Sequence, residues 1–127
     1  MMPFKVTINE VGPRDGLQNE KATIPASEKI ALIEGLSKTG ITQIEATSFV
    51  SANWVPNLAD ADLVMNRIKR SDNVVYSALV PNKVGLERAI NCNTDKIAFF
   101  TAASEKFTLK NINCSINESI ENFENLI

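Results

Sequence analysis

Charged residues that follow two apolar stretches of the sequence are the side chains best suited to chemistry. Arg14 and Asp15 lie in a Gly-Pro-Arg-Asp-Gly turn at residues 12–16, and Glu45 lies near the end of a later apolar run. The Asp15 carboxylate is a hard oxygen ligand of the kind that Mg²⁺ and Mn²⁺ prefer. The Arg14 cation suits stabilisation of a carbonyl or enolate oxygen that gains negative charge, and Glu45 suits either proton transfer or pairing with Arg14.

A purely structural role for the same residues, as a turn with an exposed ion pair, is an open alternative. Pro-Arg-Asp-Gly is also a favourable turn sequence, and neighbouring arginine and aspartate residues commonly form exposed pairs. Composition excludes histidine as a catalytic base or a metal ligand, because the chain contains none. Its two cysteines, Cys92 and Cys114, make neither a disulfide framework nor a zinc motif, so we expect small buried hydrophobic residues rather than nucleophiles.

The hydrophobic pattern predicts four strand–helix units, which form one domain over residues 1–127. Apolar stretches rich in β-branched residues predict strands at 5–11, 41–46, 74–80 and 96–100. Helical spacing of apolar residues predicts helices over about 25–38, 58–69 and 83–91, and a capping box formed by Ser115 and Glu118 predicts a last helix after residue 115. Residues 101–114 are predicted to form a loop between the fourth strand and that helix.

Alternating strands and helices predict an α/β fold with a parallel sheet. Two architectures compete, a doubly wound open sheet and a stretch of a (βα)8 barrel. The unusual polar residues follow the carboxyl ends of the predicted strands, where a barrel places its active site. A dinucleotide-binding Gly-x-Gly-x-x-Gly sequence is missing after the first strand, which argues against the doubly wound alternative. The sequence therefore favours the barrel.

Composition and charge exclude several classes of partner. The formal net charge is −2 and the hydrophobic fraction is 44%, which argue against a nucleic-acid or acidic-membrane binder and against a disordered chain. No apolar stretch is long enough to span a bilayer. The start of the chain resembles neither a secretory signal nor a mitochondrial presequence, so a cytoplasmic location is expected.

Three extended motifs resemble the hydroxymethylglutaryl-CoA lyase family. They are Val-Gly-Pro-Arg-Asp-Gly-Leu-Gln-Asn-Glu-Lys at 11–21, Ile-Glu-Ala-Thr-Ser-Phe-Val-Ser at 44–51, and Ala-Ser-Glu-Lys-Phe at 103–107 with Lys-Asn-Ile-Asn-Cys-Ser-Ile at 110–116. The resemblance runs in order from about residue 5 to the last residue. Arg-Asp-Gly alone is shared with the wider group of metal-dependent acyl-CoA condensing and cleaving barrels, whereas the longer strings narrow it to the lyase.

The resemblance implies a fold and a reaction. The fold is the N-terminal half of a (βα)8 TIM barrel with four βα units and parallel strands. The reaction is the retro-Claisen cleavage of 3-hydroxy-3-methylglutaryl-CoA to acetyl-CoA and acetoacetate, in leucine degradation, with a divalent cation that is Mg²⁺ or Mn²⁺. Asp15 matches a metal ligand, Arg14 matches the arginine that stabilises the enolate, and Glu45 matches a glutamate near the reacting centre.

The resemblance also implies residues that bind the acyl-CoA substrate. Gln18 and Ser48 lie in motifs that line the acyl pocket, and Asn111 lies in the stretch near CoA. The family's His-x-His metal motif and its late catalytic cysteine have no counterpart among these residues, so we expect this polypeptide alone to be inactive. A homodimer or a separate C-terminal half would then complete the barrel. A non-catalytic acyl-CoA-binding half-barrel and a related acyl-CoA condensing enzyme remain as alternatives.

Overall fold

The computed structural model describes residues 1–127 as a four-stranded parallel sheet with helices between the strands. The strands are β1 (Asn9–Glu10), β2 (Gln43–Ser48), β3 (Val75–Leu79) and β4 (Lys96–Ala98). The helices are α1 (Ala26–Leu36), α2 (Ala61–Arg67), α3 (Lys83–Asn91), α4 (Glu105–Ile112) and α5 (Ile116–Glu124). None of these helices is both long and apolar enough to cross a membrane.

The strands lie in the sheet in the same order as in the sequence. The pairs Gln43 with Asn9, Ile44 with Tyr76, and Ala78 with Ile97 fix the parallel register from β1 to β4. A doubly wound sheet would reverse its strand order at a switch point, whereas consecutive parallel strands in sequential order are the arrangement of a (βα)8 barrel. The barrel prediction is therefore confirmed over its doubly wound alternative.

The core lies between the sheet and the first three helices. Its members are Ile33, Ile44, Ala46, Phe49, Ala61, Val64, Met65, Ile68, Val74, Tyr76, Ala78, Val80, Ala89 and Cys92. Tyr76 is the largest fully buried residue, and its hydroxyl oxygen lies 2.8 Å from Ser37 Oγ and 2.9 Å from the Ser71 backbone nitrogen. The ring thus fills the core while its polar end joins the region after α1 to the loop after α2, as a buried hydroxyl requires.

A register shift interrupts β2 between Glu45 and Thr47, where one residue lies outside the regular pairing with β3. Ser77 pairs with Glu45 before the shift, and Leu79 pairs with Ser48 after it. Such bulges bend a strand and redirect its side chains, and they are frequent beside active sites. The irregularity falls in the middle of β2, directly after Glu45, which is one of the predicted site residues.

Two predicted elements differ from the structure. The first strand pairs only at Asn9–Glu10, and the predicted residues 5–8 have no partner, because β2 begins at Gln43 opposite Asn9. Residues 101–114 contain α4 and are not simply a loop. The Ser104 hydroxyl accepts a hydrogen bond from the Phe107 backbone nitrogen at 3.3 Å and so caps this helix.

The last helix begins as the sequence predicts. Ser115 Oγ accepts from the Glu118 backbone nitrogen at 3.1 Å, and the Glu118 carboxylate accepts from the Ser115 nitrogen at 2.7 Å. The hydrogen bond from the Ser115 backbone nitrogen is the main cause that lowers the pKa of the Glu118 carboxyl, because it favours the charged form of that group. The remaining elements occur where they are predicted, with ends displaced by a few residues.

The sheet is open, and its surface is large for its mass. A compact monomer of 13.9 kDa is expected to expose about 6,700 Å², whereas this chain exposes 8430 Å². Strands β1 and β4 each have one unpaired edge. The side chains of Phe4, Val6 and Ile8, just before β1, are also exposed. The open edges and these side chains are the surfaces on which a further polypeptide would be expected to pack.

Candidate active site

A tight turn directly after β1 presents Arg14 and Asp15. Residues Gly12–Gly16 form a single π-helical turn in which the Gly16 nitrogen donates to the Val11 carbonyl oxygen at 3.5 Å. The Asp15 nitrogen donates to the same oxygen at 2.7 Å. Pro13 fills the buried start of the turn, where its missing N–H is not needed. Isolated π-helical turns are rare and frequently occur at functional sites.

Gly12 leaves room for the Glu10 side chain at the start of this turn. Its backbone nitrogen donates to Glu10 Oε1 at 2.7 Å, and a Cβ atom at this position would lie only 2.8 Å from the same oxygen. The Glu10 side chain therefore folds against the turn and satisfies one of its free N–H groups. Any larger residue at Gly12 would displace that carboxylate.

Arg14, in the turn after β1, forms an ion pair with Glu45, which lies in the middle of β2. Arg14 Nε donates to Glu45 Oε1, and the two side chains are 18% and 7% exposed. A buried carboxylate is unfavourable without a partner, so the guanidinium compensates a charge that β2 would otherwise bury alone. The structure confirms that these two predicted site residues lie together.

Asp15 lies on the solvent side of the same guanidinium. Arg14 Nη1 donates to Asp15 Oδ1 at 3.0 Å, and the Asp15 side chain is 56% exposed. Arg14 thus joins a buried carboxylate to an exposed one, and its Nη2 group donates to no protein atom. A guanidinium held on two sides is well placed to donate its remaining N–H groups to an oxygen of a bound molecule.

Gln18 lies beside a shallow cleft between the loops that follow β1 and β2. The cleft has a volume of about 210 Å³ and is lined by Gln18, Asn19, Trp54, Val55, Pro56 and Asn57. Trp54 is 82% exposed, so it stands at the rim and is not packed beneath its loop. The two loops join here because the Asn57 side-chain amide donates to the Glu20 carbonyl oxygen at 2.7 Å.

Ser48 and Asn111, the other two predicted substrate-binding residues, do not join this group. Ser48 is fully buried, and its Oγ lies 3.5 Å from the Leu79 carbonyl oxygen and 3.3 Å from the Val50 nitrogen. Asn111 is exposed on α4, where its amide donates to the Phe107 carbonyl oxygen at 2.8 Å within the same helix. Their contacts to substrate stay predictions.

The described residues do not form a complete metal site. No three histidine, cysteine, aspartate or glutamate residues come close enough to hold an ion. Asp15 offers one exposed carboxylate, whose Oδ1 already accepts from Arg14, and Glu45 is committed to the same arginine. Mg²⁺ takes near-octahedral oxygen ligands, so this donor set supplies one ligand and leaves the rest of the shell to other groups.

A second ion pair lies among the helices. Arg88 on α3 donates both its Nε and its Nη2 to the Asp62 carboxylate on α2, and its guanidinium lies 5.2 Å from the centre of the Phe49 ring. The hydrogen bonds from Arg88 lower the pKa of the Asp62 carboxyl. Burial raises the pKa of the Cys92 thiol beside this pair, which fits a structural cysteine, as the sequence predicts.

Sequence similarity and structural similarity agree on the family. A parallel sheet in sequential order, with helices between its strands, matches the first part of a TIM-type barrel. The model of the HMGL-like family matches residues 5–127. The chain therefore belongs to the HMGL-like family.

Curated relatives and solved structures carry the name of one enzyme. A cytoplasmic 3-hydroxy-3-methylglutaryl-CoA lyase of Danio rerio is 52% identical over 99% of this chain, which covers 38% of that protein. A mitochondrial hydroxymethylglutaryl-CoA lyase of Gallus gallus is 51% identical over 98% of this chain, which covers 42% of that protein. The HMG-CoA lyase structure from Bacillus subtilis superposes with a TM-score of 0.93 at 48% identity, covering 98% of this chain and 42% of that one.

A liganded relative has the same fold. The HMG-CoA lyase from Acinetobacter baumannii, solved with coenzyme A and 3-methylmalate, has a TM-score of 0.91 and 37% identity over 99% of this chain and 42% of that chain. The protein described here thus spans about two-fifths of the length of its relatives. The relatives bear both cytoplasmic and mitochondrial names, so the predicted cytoplasmic location stays a prediction.

Proposed function

We propose that this chain supplies the Arg14–Asp15–Glu45 part of a hydroxymethylglutaryl-CoA lyase active site. The observation that carries the proposal is the position of Arg14 after β1, where it joins the buried Glu45 carboxylate of β2 to the exposed Asp15 carboxylate. Relatives named for this activity match nearly the whole chain. The corresponding pathway would be leucine degradation.

The proposed reaction is the cleavage of 3-hydroxy-3-methylglutaryl-CoA. A base takes the proton of the tertiary hydroxyl group, the bond between C2 and C3 breaks, and C3 leaves as the ketone of acetoacetate. The electron pair of the broken bond passes to the thioester as an enolate, which takes one proton at C2 to give acetyl-CoA. The negative charge develops on the thioester oxygen, so a cation fixed beside that oxygen accelerates the bond cleavage.

Arg14 is the group that we assign to the enolate oxygen. Its Nε donates to Glu45 and its Nη1 donates to Asp15, so these two hydrogen bonds fix the plane of the guanidinium group. The Nη2 group lies in that plane and has no protein acceptor. Glu45 acts here as a positioning residue because it determines the orientation of that plane. A preorganised donor of this kind needs no reorganisation when the charge appears.

Asp15 is the proposed ligand of a divalent cation, Mg²⁺ or Mn²⁺. Such a cation would chelate oxygen atoms of the substrate and stabilise negative charge on them. The described residues provide only one carboxylate for it, so the other ligands must come from groups outside this set.

Three further residues are proposed to contact the acyl-CoA. Gln18 fits best, because it borders an open cleft beside the Arg14 turn. Ser48 lies at the end of β2, where its buried hydroxyl would have to exchange a weak 3.5 Å hydrogen bond for one to the substrate. Asn111 is exposed on α4 and would meet CoA only from the outer side of the site.

The open sheet supports a proposal about assembly. We infer that residues 1–127 form one partial-barrel domain whose free strand edges pair with further strands of the same fold. The exposed surface exceeds that of a compact monomer by more than the area that one partner buries in a standard interface, about 800 Å². A polypeptide with the remaining strands, or a second copy of this chain, would cover it.

Complementation in trans tests the proposed function. The chain is mixed with the part of the Bacillus subtilis lyase that it does not match, in the presence of Mg²⁺, and acetoacetate is measured. Acetoacetate from 3-hydroxy-3-methylglutaryl-CoA, absent with Arg14→Met, supports the lyase. A complex that forms in sedimentation yet yields no acetoacetate contradicts it.

The same sample separates the two alternatives. A complex that binds the acyl-CoA without turnover favours the non-catalytic binding module. A complex that instead joins acetyl-CoA to a 2-oxo acid favours the condensing enzyme. Both outcomes contradict the proposed cleavage.

A further inference from the structure

Lys29 has a buried ammonium group whose hydrogen-bond partners all lie outside its own helix. It lies in the first turn of α1, and the residue is only 5% exposed. A positive charge near the N-terminal end of a helix is opposed by the helix dipole, and burial of an ammonium group is unfavourable without partners. The reason for its position therefore lies outside α1.

The partners of Lys29 are in the loop between β2 and α2. Its Nζ donates to the Asn57 carbonyl oxygen at 2.5 Å and to Asp60 Oδ1 at 2.7 Å. Asp60 precedes α2 but makes no side-chain capping bond, so its carboxylate serves the lysine and not the helix. These two bonds fix the backbone on both sides of Leu58, which is itself buried.

Asn57 joins the loop between β2 and α2 to the loop after β1. Its side-chain Nδ2 lies 2.7 Å from the Glu20 carbonyl oxygen and 3.4 Å from the carbonyl oxygens of Leu17 and Gln18. The side-chain amide of Asn57 therefore contacts three backbone carbonyl groups of the segment that contains Gln18. Its backbone carbonyl, at the same time, accepts from the buried ammonium of Lys29.

The same segment is joined to the Arg14 turn. Asn19 Nδ2 donates to the Asp15 carbonyl oxygen at 2.9 Å, and the Asn19 nitrogen donates to the Gly16 carbonyl oxygen at 3.2 Å. Lys29 therefore bonds to Asn57, and Asn57 bonds to the carbonyl groups of residues 17–20. The backbone of that segment carries Asn19, which bonds to Asp15.

We propose that Lys29 is a positioning residue for the candidate site: its ammonium group, held by Asn57 and Asp60, fixes the loop after β2 against the loop that holds Gln18 and Asp15. The catalytic consequence of this positioning rests on the proposed function. The coupling between the loop after β1 and the loop after β2 is independent of the proposed function, and amide hydrogen exchange measures it.

Amide hydrogen exchange at Asn19 and Glu20, followed by NMR, reports the order of the loop after β1. Lys29→Met removes the charge and the donors but keeps the length of the side chain, and we expect exchange at both amides to accelerate by about tenfold. Lys38→Met, which removes an exposed lysine after the same helix, is the control, and it should leave both rates unchanged. Unchanged rates at Asn19 and Glu20 in Lys29→Met would overturn the proposal.

A double variant separates positioning from stability. Replacement of both members of a buried ion pair by apolar residues is often neutral for stability, so Lys29→Met with Asp60→Leu should restore the unfolding midpoint. The proposal expects fast exchange at Asn19 and Glu20 to persist in this variant. Recovery of slow exchange together with the midpoint would show that Lys29 only stabilises the fold.

Asn57→Ala provides the test if Lys29→Met fails to fold. It retains the Lys29–Asp60 pair and removes only the amide that gathers the three carbonyl groups. The expected result is the same local acceleration at Asn19 and Glu20 with little change in the unfolding midpoint, and wild-type exchange would contradict the proposal. A positive exchange result in a chain that fails the complementation assay would retain the positioning role and reject the proposed function.

Discussion

Arg14, in the turn after β1, donates its Nε–H to the buried carboxylate of Glu45 on β2. The two residues are 31 positions apart in the sequence. They meet because Glu10, the last residue of β1, pairs with Ile44, which places Glu45 level with the turn after β1. The pair places a cation where chemistry is expected and also compensates a charge inside the protein. Its removal should therefore affect both activity and folding.

Arg14→Met should lower the free energy of unfolding by about 3 kcal/mol, because it leaves the Glu45 carboxylate buried without a partner. Urea unfolding followed by circular dichroism measures the change. Arg67→Met, at an exposed arginine on α2, is the matched control and should stay close to wild type. Arg14→Met combined with Glu45→Leu should recover most of the loss, and a double variant as unstable as the single one would contradict this account.

Mn²⁺ should bind weakly to this chain, with a dissociation constant of ~1 mM or weaker, because a single carboxylate is a poor ligand set. Paramagnetic broadening of NMR amide signals should centre on Asp15 and Gly16 and disappear in Asp15→Ala. Asp72→Ala, at another exposed aspartate, should leave the broadening in place. Micromolar affinity, or broadening that survives Asp15→Ala, would refute the assignment of Asp15 as a lone ligand.

The pair of Asp62 and Arg88 should contribute to stability in a pH-dependent way. Hydrogen bonds from Arg88 lower the pKa of Asp62 in the folded chain below its unfolded value. The contribution is then complete above the unfolded pKa, about 3.9, and is lost as the pH falls through the lower folded pKa. Asp62→Asn should flatten the acid side of a plot of unfolding midpoint against pH.

Glu118 has a lowered pKa as well, so it contributes to the same acid limb. Glu118→Gln measures that part separately, and the slopes lost in the two variants should add, because the two sites share no partner. An acid limb with wild-type slope in Asp62→Asn would contradict the predicted role of Arg88.

Tyr76→Phe should lower the free energy of unfolding by about 1 kcal/mol, because it removes the hydroxyl that the half-buried Ser37 and Ser71 share as a hydrogen-bond partner. Chemical denaturation gives the value, and the denaturant slope should not change. Thr39→Ala, which removes an exposed hydroxyl bonded to the Leu36 carbonyl oxygen at 2.7 Å, is the control with a smaller expected effect. A loss in Tyr76→Phe no larger than in Thr39→Ala would contradict the structural role of the hydroxyl.

The sequence predicts most of the elements, but not α4, and it brings Arg14 and Glu45 to the same part of the sheet. Consecutive parallel strands are expected to lie side by side, so the order of the elements places the two residues near each other. The capping box of Ser115 and Glu118 is a local signal, and it is present with both hydrogen bonds. The family resemblance is confirmed by the HMGL-like match over residues 5–127.

Features that depend on distant partners could not be predicted in this way. The short length of β1 is set by where β2 begins, at Gln43, and not by the β-branched residues before Asn9. The sequence around α4 has a single Ser104 cap and no capping box, so it gives a weaker signal than α5 does. Lys29 reads as an ordinary exposed helix residue, because its partners Asn57 and Asp60 are 28 and 31 positions away.

The order β1-β2-β3-β4 has a consequence for how this protein is made. Each strand adds to the edge left by the preceding one, so no later strand has to insert between two that are already joined. A chain leaving the ribosome at about 5–20 residues per second can therefore dock each unit as it emerges. The turn that contains Arg14 is synthesised before Glu45. When β2 pairs with β1, the Glu45 carboxylate can therefore bind a guanidinium group that is already present.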